Sequence, residues 1–252
     1  MDRDDPAHAA SPFFSRHAHA YATSPTHAAG SDLALLVEWV APADGKRALD
    51  VGTGTGHTAV ALARRGARTT GVDPTPAMLA EAEALAAAQG VGDLTDFVLG
   101  VAEALPFGDA SVDIVTCRRA AHHFRDIRTA VAEMARVLRP GGRLGISDLS
   151  PRAEVGAEAD RFEQLRDPTH VHMLSEEEWR RVLEAAGLRL VRLETTDALV
   201  SFGEWLRPVA PDGPEGRAIL EAMAALGPET LQTLAGGADT WRKRRVLLLA
   251  QR

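Results

Sequence analysis

The sequence predicts an α/β fold, in which helices cover both faces of a doubly wound, mainly parallel sheet. Three observations predict this class. Short apolar segments of strand length alternate with amphipathic helical segments between residues 46 and 150. A glycine-rich loop follows the first apolar segment, and Gly or Pro residues end most helical segments. This alternation is typical of parallel strands that are joined by helices.

The elements up to residue 150 follow from apolar periodicity and from residues that begin or end helices. Ser31 is expected to cap the first clear helix. Thr75 and Pro76 begin another, since Pro is favoured at the first helical position. Residues 13–29 predict a short helical stretch and a turn. The predicted strands are 48–51, 69–72, 97–99, 112–117 and 144–147, and the predicted helices are 32–40, 58–65, 76–89 and 126–138.

The remaining third of the chain is less regular. Ser175 and Glu178 form a capping box, which predicts a helix that stops at Gly187. The basic run from Trp241 to Arg245 is interpreted as the solvated start of the last strand rather than as an RNA contact. The other predicted elements are a polar helix at 154–166, a strand at 188–193, helices with breaks over 201–238 and a final strand at 246–250.

Composition excludes several classes of protein. The chain has 252 residues, 45% of them apolar and 25% charged, which is typical of a globular protein. No apolar run is long enough to span a membrane, and the acidic start shows no secretory signal, so a cytoplasmic location is expected. The net charge of −7 argues against nucleic acid as a partner. Cys117 is the single cysteine, which excludes an internal disulfide and a cysteine-based metal centre.

The loop from Gly52 to Gly56 is predicted to bind a ligand. It lies at the carboxyl end of the first strand, which is where wound sheets bind ligands. Its three alternating glycines (Gly52, Gly54 and Gly56) let a ligand approach the backbone, and the following helix offers free N–H groups. A tight turn without a ligand would need only one glycine.

Two ligand classes fit this loop. Gly54 to Ala59 matches the dinucleotide pattern G-x-G-x-x-A. Asp50, however, extends the pattern to D-x-G-x-G-x-G, and its carboxylate would repel a pyrophosphate. S-adenosylmethionine carries an ammonium and a sulfonium but no phosphate, and it is therefore the predicted ligand.

Four segments carry a family resemblance. LDVGTGTG, from Leu49 to Gly56, resembles motif I of the class I S-adenosylmethionine-dependent methyltransferases. AEALPF at 102–107, followed by Asp113, and RVLRPGG at 136–142 resemble the ubiquinone/menaquinone-biosynthesis (UbiE-type) subgroup. LRDPTHVHMLSEEEW at 165–179 is more weakly similar to small bacterial UbiE-like proteins. The resemblance implies a Rossmann-like sheet of seven strands, with the last strand antiparallel.

The resemblance also implies which residues bind the donor. Asp73 would hold the ribose hydroxyls. Val101 stands where many relatives have an Asp that accepts from the adenine amino group, so the backbone around Ala102 is expected to bind the adenine. Tyr21 with Arg16, or Arg118 instead, would bind the donor carboxylate, although Tyr21 could equally pack the lid onto the sheet. The predicted donor set is Tyr21, Asp50, Gly52, Thr53, Gly54, Gly56, Asp73, Pro74, Met78, Ala102, Glu103 and Arg118.

Histidines are the candidates for acceptor chemistry. His122 and His123 follow the fourth strand beside the glycine loop, and a neutral imidazole can take a proton from the acceptor. His123 is the favoured base, and a helix-entry histidine bonded to backbone is the alternative. His170 and His172 alternate along the chain, so they point the same way if it is extended. His170 is expected on the cover of the acceptor pocket, and no metal site is predicted.

These observations predict one domain and one leading function. Residues 1–12 are expected to be a disordered tail, followed by lid helices (13–45), a donor-binding core (46–150), and acceptor-side insertions with the final strands (151–252). The leading function is methyl transfer to a C, O or N atom of a small molecule, quinone-like or from a natural-product pathway. An RNA or protein methyltransferase, or a donor-binding protein without transferase activity, are the alternatives. The oligomeric state stays open, with a homodimer among the options.

Overall fold

A computed structural model describes residues 7–207, 209–237 and 239–252. The strands are β1 (Arg47–Val51), β2 (Arg68–Asp73), β3 (Thr95–Leu99), β4 (Val112–Arg118), β5 (Leu138–Leu149), β6 (Arg189–Ser201) and β7 (Thr240–Gln251). They form a seven-stranded sheet in the order β3-β2-β1-β4-β5-β7-β6. β1 to β5 run parallel to one another, and β7 is antiparallel to both β5 and β6. The predicted fold class, including the antiparallel last strand, is confirmed.

The strand order places a crevice between β1 and β4. The chain winds outward from β1 through β2 to β3, and then returns to the other side of β1 with β4. At such a switch point the connections after neighbouring strands leave in opposite directions, which opens a crevice at the carboxyl ends. The glycine-rich loop follows β1 and therefore lies in this crevice.

Helices cover both faces of the sheet. α3 packs on β5 and β7, and α4 and α5 cover the strands on the β3 side, while α6 and α8 pack together near β5 and β6. The helices are α1 (Ala7–Ala22), α2 (Pro25–Ala29), α3 (Ser31–Val40), α4 (His57–Ala63), α5 (Pro76–Ala88), α6 (Ile127–Val137), α7 (Gly156–Arg166), α8 (Glu176–Ala185), α9 (Phe202–Leu206), α10 (Pro214–Ala224) and α11 (Pro228–Ala235).

Two predictions about local structure are wrong. Residues 7–12, expected to be disordered, belong to α1, which packs on α5. The alanine-rich composition favours a helix there, and Pro12 lies within it. Residues 1–6 of the predicted tail lie outside the described residues. β6 and β7 are also much longer than predicted, because their far halves pair with each other and carry mostly polar residues that hide the strand pattern.

A second cluster of apolar residues lies around the far end of β7. The indole rings of Trp205 and Trp241 are stacked with their centroids 4.0 Å apart, and Phe162 packs against Trp241. Trp241 is buried and the four basic residues after it are half-buried, so this run is less solvated than predicted. In the part of the chain that the structure describes, no helix is both long and apolar enough to cross a membrane.

Gly145 tests the packing of α3 on β5. A Cβ atom at this position would lie 2.6 Å from Cγ1 of Val40 and 2.7 Å from Cδ1 of Leu36, and both neighbours are fully buried. We expect Gly145→Ala to lower the free energy of unfolding by about 1–3 kcal/mol, because the extra methyl overpacks this contact. Urea denaturation measures the change.

Gly203→Ala is the matched control for Gly145→Ala. Gly203 lies in α9, and a Cβ there would meet nothing within 4 Å. Ala should raise stability at such a helical site by roughly 0.5–1 kcal/mol. Equal effects of the two substitutions would contradict tight packing between α3 and β5.

Candidate active site

The glycine loop uses its three glycines in different ways. Gly52, Gly54 and Gly56 have φ angles of +67°, +53° and +83°, in the left-handed region that favours glycine. A Cβ on Gly52 would lie 2.5 Å from Cβ of Ala120, and one on Gly56 would lie 2.8 Å from Cβ of Ala82. A Cβ on Gly54 would meet nothing within 4 Å. Gly52 and Gly56 therefore permit close packing beneath the loop, while open space lies beside Gly54.

Asp50 holds the loop from below. Its carboxylate is 1% exposed, and it accepts hydrogen bonds from the hydroxyls of Thr53 and Thr116, both at 2.7 Å. Burial raises the pKa of the Asp50 carboxyl to about 6. Because Thr53 belongs to the loop and Thr116 to β4, the carboxylate ties the loop to the neighbouring strand.

Asp73 fixes the loop from the side. It ends β2, and its two carboxylate oxygens accept the backbone N–H groups of Gly54 and Thr75, both at 2.9 Å. The backbone N–H of Thr53 also donates to the carbonyl of Val72 in β2. Burial raises the pKa of the Asp73 carboxyl. A carboxylate oxygen can accept more than one hydrogen bond, so Asp73 retains acceptor capacity beside the loop.

The other residues of the predicted donor set occupy two segments. Pro74 follows Asp73 and is half-buried, and Met78 is buried in α5. Ala102 is buried in a turn whose ends pair at Val101 and Ala104. The Glu103 carboxylate accepts the backbone N–H groups of residues 125 and 126, so it braces the segment before α6.

An ion-pair cluster attaches α3 to the sheet. Asp32 in α3 accepts paired hydrogen bonds from the guanidinium groups of Arg118 and Arg119, at 2.8–3.0 Å. Arg118 also donates to the carbonyl of His27 in α2. Burial opposes ionisation of Asp32, but the two arginines outweigh it and hold the pKa of this carboxyl below its usual value. Arg118, predicted to bind the donor, here anchors the lid helices.

Tyr21 lies at the end of α1 above the loop region. Its ring makes edge contacts with His27 and Phe14, with centroids 5.0 and 5.9 Å apart. Burial raises the pKa of the Tyr21 hydroxyl. Arg16 is exposed and donates to the carbonyl of Pro12 in its own helix. These contacts place Tyr21 in the packing of the lid, while its contact with a donor stays a prediction.

His122 forms a short pair with a carboxylate. Its Nδ1 lies 2.6 Å from Oδ1 of Asp148, and its backbone N–H donates to Oδ2 of the same residue at 3.0 Å. Asp148 is 1% exposed near the carboxyl end of β5. Burial lowers the pKa of the His122 imidazole, but the Asp148 carboxylate outweighs it and raises this pKa above 6.5.

His123 has a different environment from its neighbour. The two histidine rings have centroids 4.0 Å apart, and the ring of Phe14 meets His123 edge-on at 5.1 Å. Nδ1 of His123 lies 3.1 Å from both the carbonyl and the hydroxyl oxygen of Thr169. Burial, assisted by the charge of His122, lowers the pKa of the His123 imidazole to about 3.

The segment around His170 covers His122. The backbone N–H groups of Val171 and His172 donate to the carbonyl of His122. Nε2 of the buried His170 lies 2.8 Å from Oδ1 of Asp160, and Nδ1 of His172 lies 2.5 Å from Oδ2 of the same residue. Asp160 in α7 therefore holds both histidines and fixes the cover against the histidine pair. Within the described ranges, no group of three or more His, Cys, Asp or Glu residues is arranged to hold a metal.

Sequence reasoning missed three acidic residues of this site: Asp32, Asp148 and Asp160. Asp148 had a usable signal, because it lies at the carboxyl end of a central strand, where ligands of wound sheets bind. Asp32 and Asp160 lie on helices, and only the packing of those helices brings them to their partners. Their positions along the chain carry no comparable signal.

Comparisons with known proteins agree with this geometry. Residues 49–146 match the family described as Methyltransferase domain. YcgJ of Bacillus subtilis (strain 168), named an uncharacterized methyltransferase, is 38% identical over 196 residues, which are 77% of each chain. Its crystal structure has a TM-score of 0.80 at 30% identity, and the match covers 88% of this chain and 97% of that one.

Two further relatives are more distant. The ubiquinone/menaquinone biosynthesis C-methyltransferase UbiE of Paracoccus denitrificans (strain Pd 1222) is 43% identical over 117 residues, 46% of this chain and 47% of that protein. A geranyl diphosphate C-methyltransferase from Streptomyces coelicolor A3(2), solved with S-adenosyl-L-homocysteine, has a TM-score of 0.69 at 15% identity and full coverage of both chains, and it shares the fold.

The YcgJ match extends over most of both chains in sequence and in fold. This chain therefore belongs to the class I S-adenosylmethionine-dependent methyltransferase family, and part of it is similar to a UbiE-type enzyme.

Proposed function

We propose that the chain transfers a methyl group from S-adenosylmethionine to a small-molecule acceptor, and that His122 paired with Asp148 takes the proton of that acceptor. The 2.6 Å contact between His122 Nδ1 and Asp148 Oδ1 carries the catalytic part of this proposal. It lies at the carboxyl ends of β4 and β5, next to the crevice that holds the glycine loop.

The loop fits the donor. Gly54 leaves open space, and the buried Asp73 carboxylate is held against the loop with acceptor capacity to spare. The bound donor supplies a methyl group on a sulfonium, which is transferred in line to the acceptor atom. The Asp32 ion pairs attach α3 to the sheet, Arg118 also bonds to α2, and α1 packs on α5. Together these lid helices would exclude water from the site.

Asp148 prepares His122 to accept a proton. A carboxylate at Nδ1 holds the ring proton on that nitrogen and leaves Nε2 as the acceptor. Among the described residues, Nε2 of His122 has no hydrogen-bond partner, and it is therefore available. The pKa of a useful base lies near the working pH. A pKa of about 3 makes His123 the weaker base, and we assign it to the pocket wall with Phe14.

The acceptor class rests on the relatives. The UbiE relative and the geranyl diphosphate enzyme are both named C-methyltransferases that act in small-molecule chemistry. Incubating the protein with isotope-labelled S-adenosylmethionine and separate small-molecule, RNA and protein fractions of a cell extract tests this proposal. Label in the small-molecule fraction is expected. Label confined to the RNA or protein fraction would overturn the acceptor class.

Asp73 tests donor binding. We expect Asp73→Asn to weaken binding of S-adenosylhomocysteine by roughly 10- to 150-fold, because a hydrogen bond to a charged group contributes about 1.5–3 kcal/mol. Isothermal titration calorimetry measures the affinity. Asp96→Asn, an exposed change on the neighbouring β3, is the matched control and should bind as the wild type does. Equal affinities of the two variants would remove Asp73 from the donor site.

The pH dependence of kcat tests whether His122 is the general base. A base must be unprotonated, so kcat should rise with pH through the raised pKa of His122, on a limb above pH 6.5. Asp148→Asn removes the charge that raises this pKa and leaves the opposing burial. We expect the limb, and the His122 ring titration followed by NMR, to move to lower pH. An unmoved titration would show that Asp148 does not control His122.

Substituting each histidine separates their roles. His122→Ala should lower kcat by about 10²–10⁴-fold, which is the usual contribution of a general base. His123→Ala should change the acceptor KM more than kcat, and His170→Ala should do the same from the cover of the pocket. Affinity for S-adenosylhomocysteine should be unchanged in all three. A larger loss of kcat in His123→Ala than in His122→Ala would return the base to His123.

A further inference from the structure

Two cationic side chains on β7 stand without partners. Within residues 7–207, 209–237 and 239–252, Lys243 and Arg245 make no side-chain hydrogen bond, ion pair or aromatic contact, although both are half-buried. They are two residues apart on one strand, so they point to the same face of the sheet. On that face Leu247 packs against α3, and Trp241 packs against α7 and α9. The two cations therefore lie in the gap between these helices.

The carboxylates near Arg245 are already engaged. Arg245 interacts electrostatically with Asp32 and Asp148, and also with His122. Asp32 is shared by two other arginines, and Asp148 is bonded to His122. With those two arginines beside it, Arg245 adds to a local surplus of positive charge.

The buried carboxylate near Lys243 is also engaged by other partners. The buried carboxylate of Glu163 accepts from Arg166 and from the indole N–H of Trp205. Glu204 is exposed to solvent and forms no ion pair with Lys243 among the described contacts. Among the described residues, Glu204 is therefore the unpaired carboxylate near Lys243, and it lies in solvent rather than against either cation.

A half-buried charge without a partner is costly. Burial, with the neighbouring Arg119, lowers the pKa of Arg245 to about 10. Burial and Arg245 likewise lower the pKa of Lys243. A bound anion would remove this cost, and a guanidinium matches the two oxygens of a carboxylate or phosphate.

We propose that Arg245 and Lys243 bind an anionic group, a carboxylate or phosphate, on the methyl acceptor. The proposal rests on the proposed function of the site. It adds a specificity-determining pair on β7 and a chemical class for the acceptor. A neutral acceptor of the same shape would leave both cations unpaired and would bind less well.

The position of β7 assigns this anion to the acceptor rather than to the donor. β7 is separated from β1 and its loop by β4 and β5. Three spacings of about 4.8 Å place Arg245 roughly 14 Å across the sheet from that loop. Arg245 pairs in register with Leu149, the residue next to Asp148. An acceptor with its anion on Arg245 can therefore place its reacting atom beside His122.

Binding of simple anions tests this pair without knowledge of the acceptor. Benzoate, benzamide and inorganic phosphate are titrated into the protein saturated with S-adenosylhomocysteine. Benzoate and phosphate are expected to bind and benzamide is not, and which of the two binds better distinguishes a carboxylate from a phosphate site. Arg245→Gln should weaken the tighter of them by about tenfold or more. Lys243→Gln should act in the same direction.

Three controls keep the test decisive. Arg189→Gln removes an exposed cation of β6 that bonds to Gln251, and it should leave anion binding unchanged. Arg245→Lys retains the charge and should recover most of the binding. Circular dichroism melting shows whether Arg245→Gln is folded. If that variant is unfolded, the anion affinity of Lys243→Gln tests the proposal instead.

The outcomes separate this inference from the proposed function. The inference is overturned if the wild type binds neither anion, or if Arg245→Gln weakens S-adenosylhomocysteine and not the anion, which would assign Arg245 to the donor carboxylate. A wild type that fails to bind S-adenosylhomocysteine would instead contradict the proposed function. Anion titration of the unliganded protein would then still decide the role of Arg245.

Discussion

The buried carboxylate of Asp50 connects the parts of this site. It lies at the switch point of the sheet, and it accepts one hydroxyl from the loop after β1 and one from β4. Removing a carboxylate from water opposes its ionisation, and the two hydroxyl donors offset part of that cost. The loop, the end of β4 and the histidines that follow β4 are thereby held at fixed distances from one another.

The charged side chains around Asp50 are mostly arranged in ion pairs. Asp32 joins the lid to the sheet through two arginines, so two guanidinium charges share one carboxylate. Asp148 neutralises His122, and Glu163 neutralises Arg166. These carboxylates therefore all have partners within the site. Among the described residues, Lys243 and Arg245 of β7 are left without an ion pair. A chain with a net charge of −7 nevertheless concentrates unpaired positive charge beside its candidate base.

The sequence predicted the central sheet well and the walls of the site poorly. Strands β1 to β5, the glycine loop and Asp73 follow from short-range patterns of apolar residues, caps and glycines, which are properties of neighbouring residues. The length of β6 and β7 could not be predicted because their paired far halves carry mostly polar residues, which hide the apolar pattern of a strand. The partners of Arg118 and His170 depend on helices that are distant along the chain, so no local pattern shows that Asp32 and Asp160 hold them.

The adjacent histidines show how packing can separate two identical side chains. Both are half-buried in the site, and removal from water alone lowers the pKa of each imidazole. His122 meets the Asp148 carboxylate, which reverses the effect, whereas His123 contacts the neutral oxygens of Thr169 and the rings of Phe14 and His122. The charge of Asp167 raises the pKa of His123 but does not outweigh burial. The positive charge that Asp148 stabilises on His122 then lowers the pKa of His123 further. His122 therefore takes up a proton at a higher pH than His123 does, and the ring of His123 stays neutral beside it.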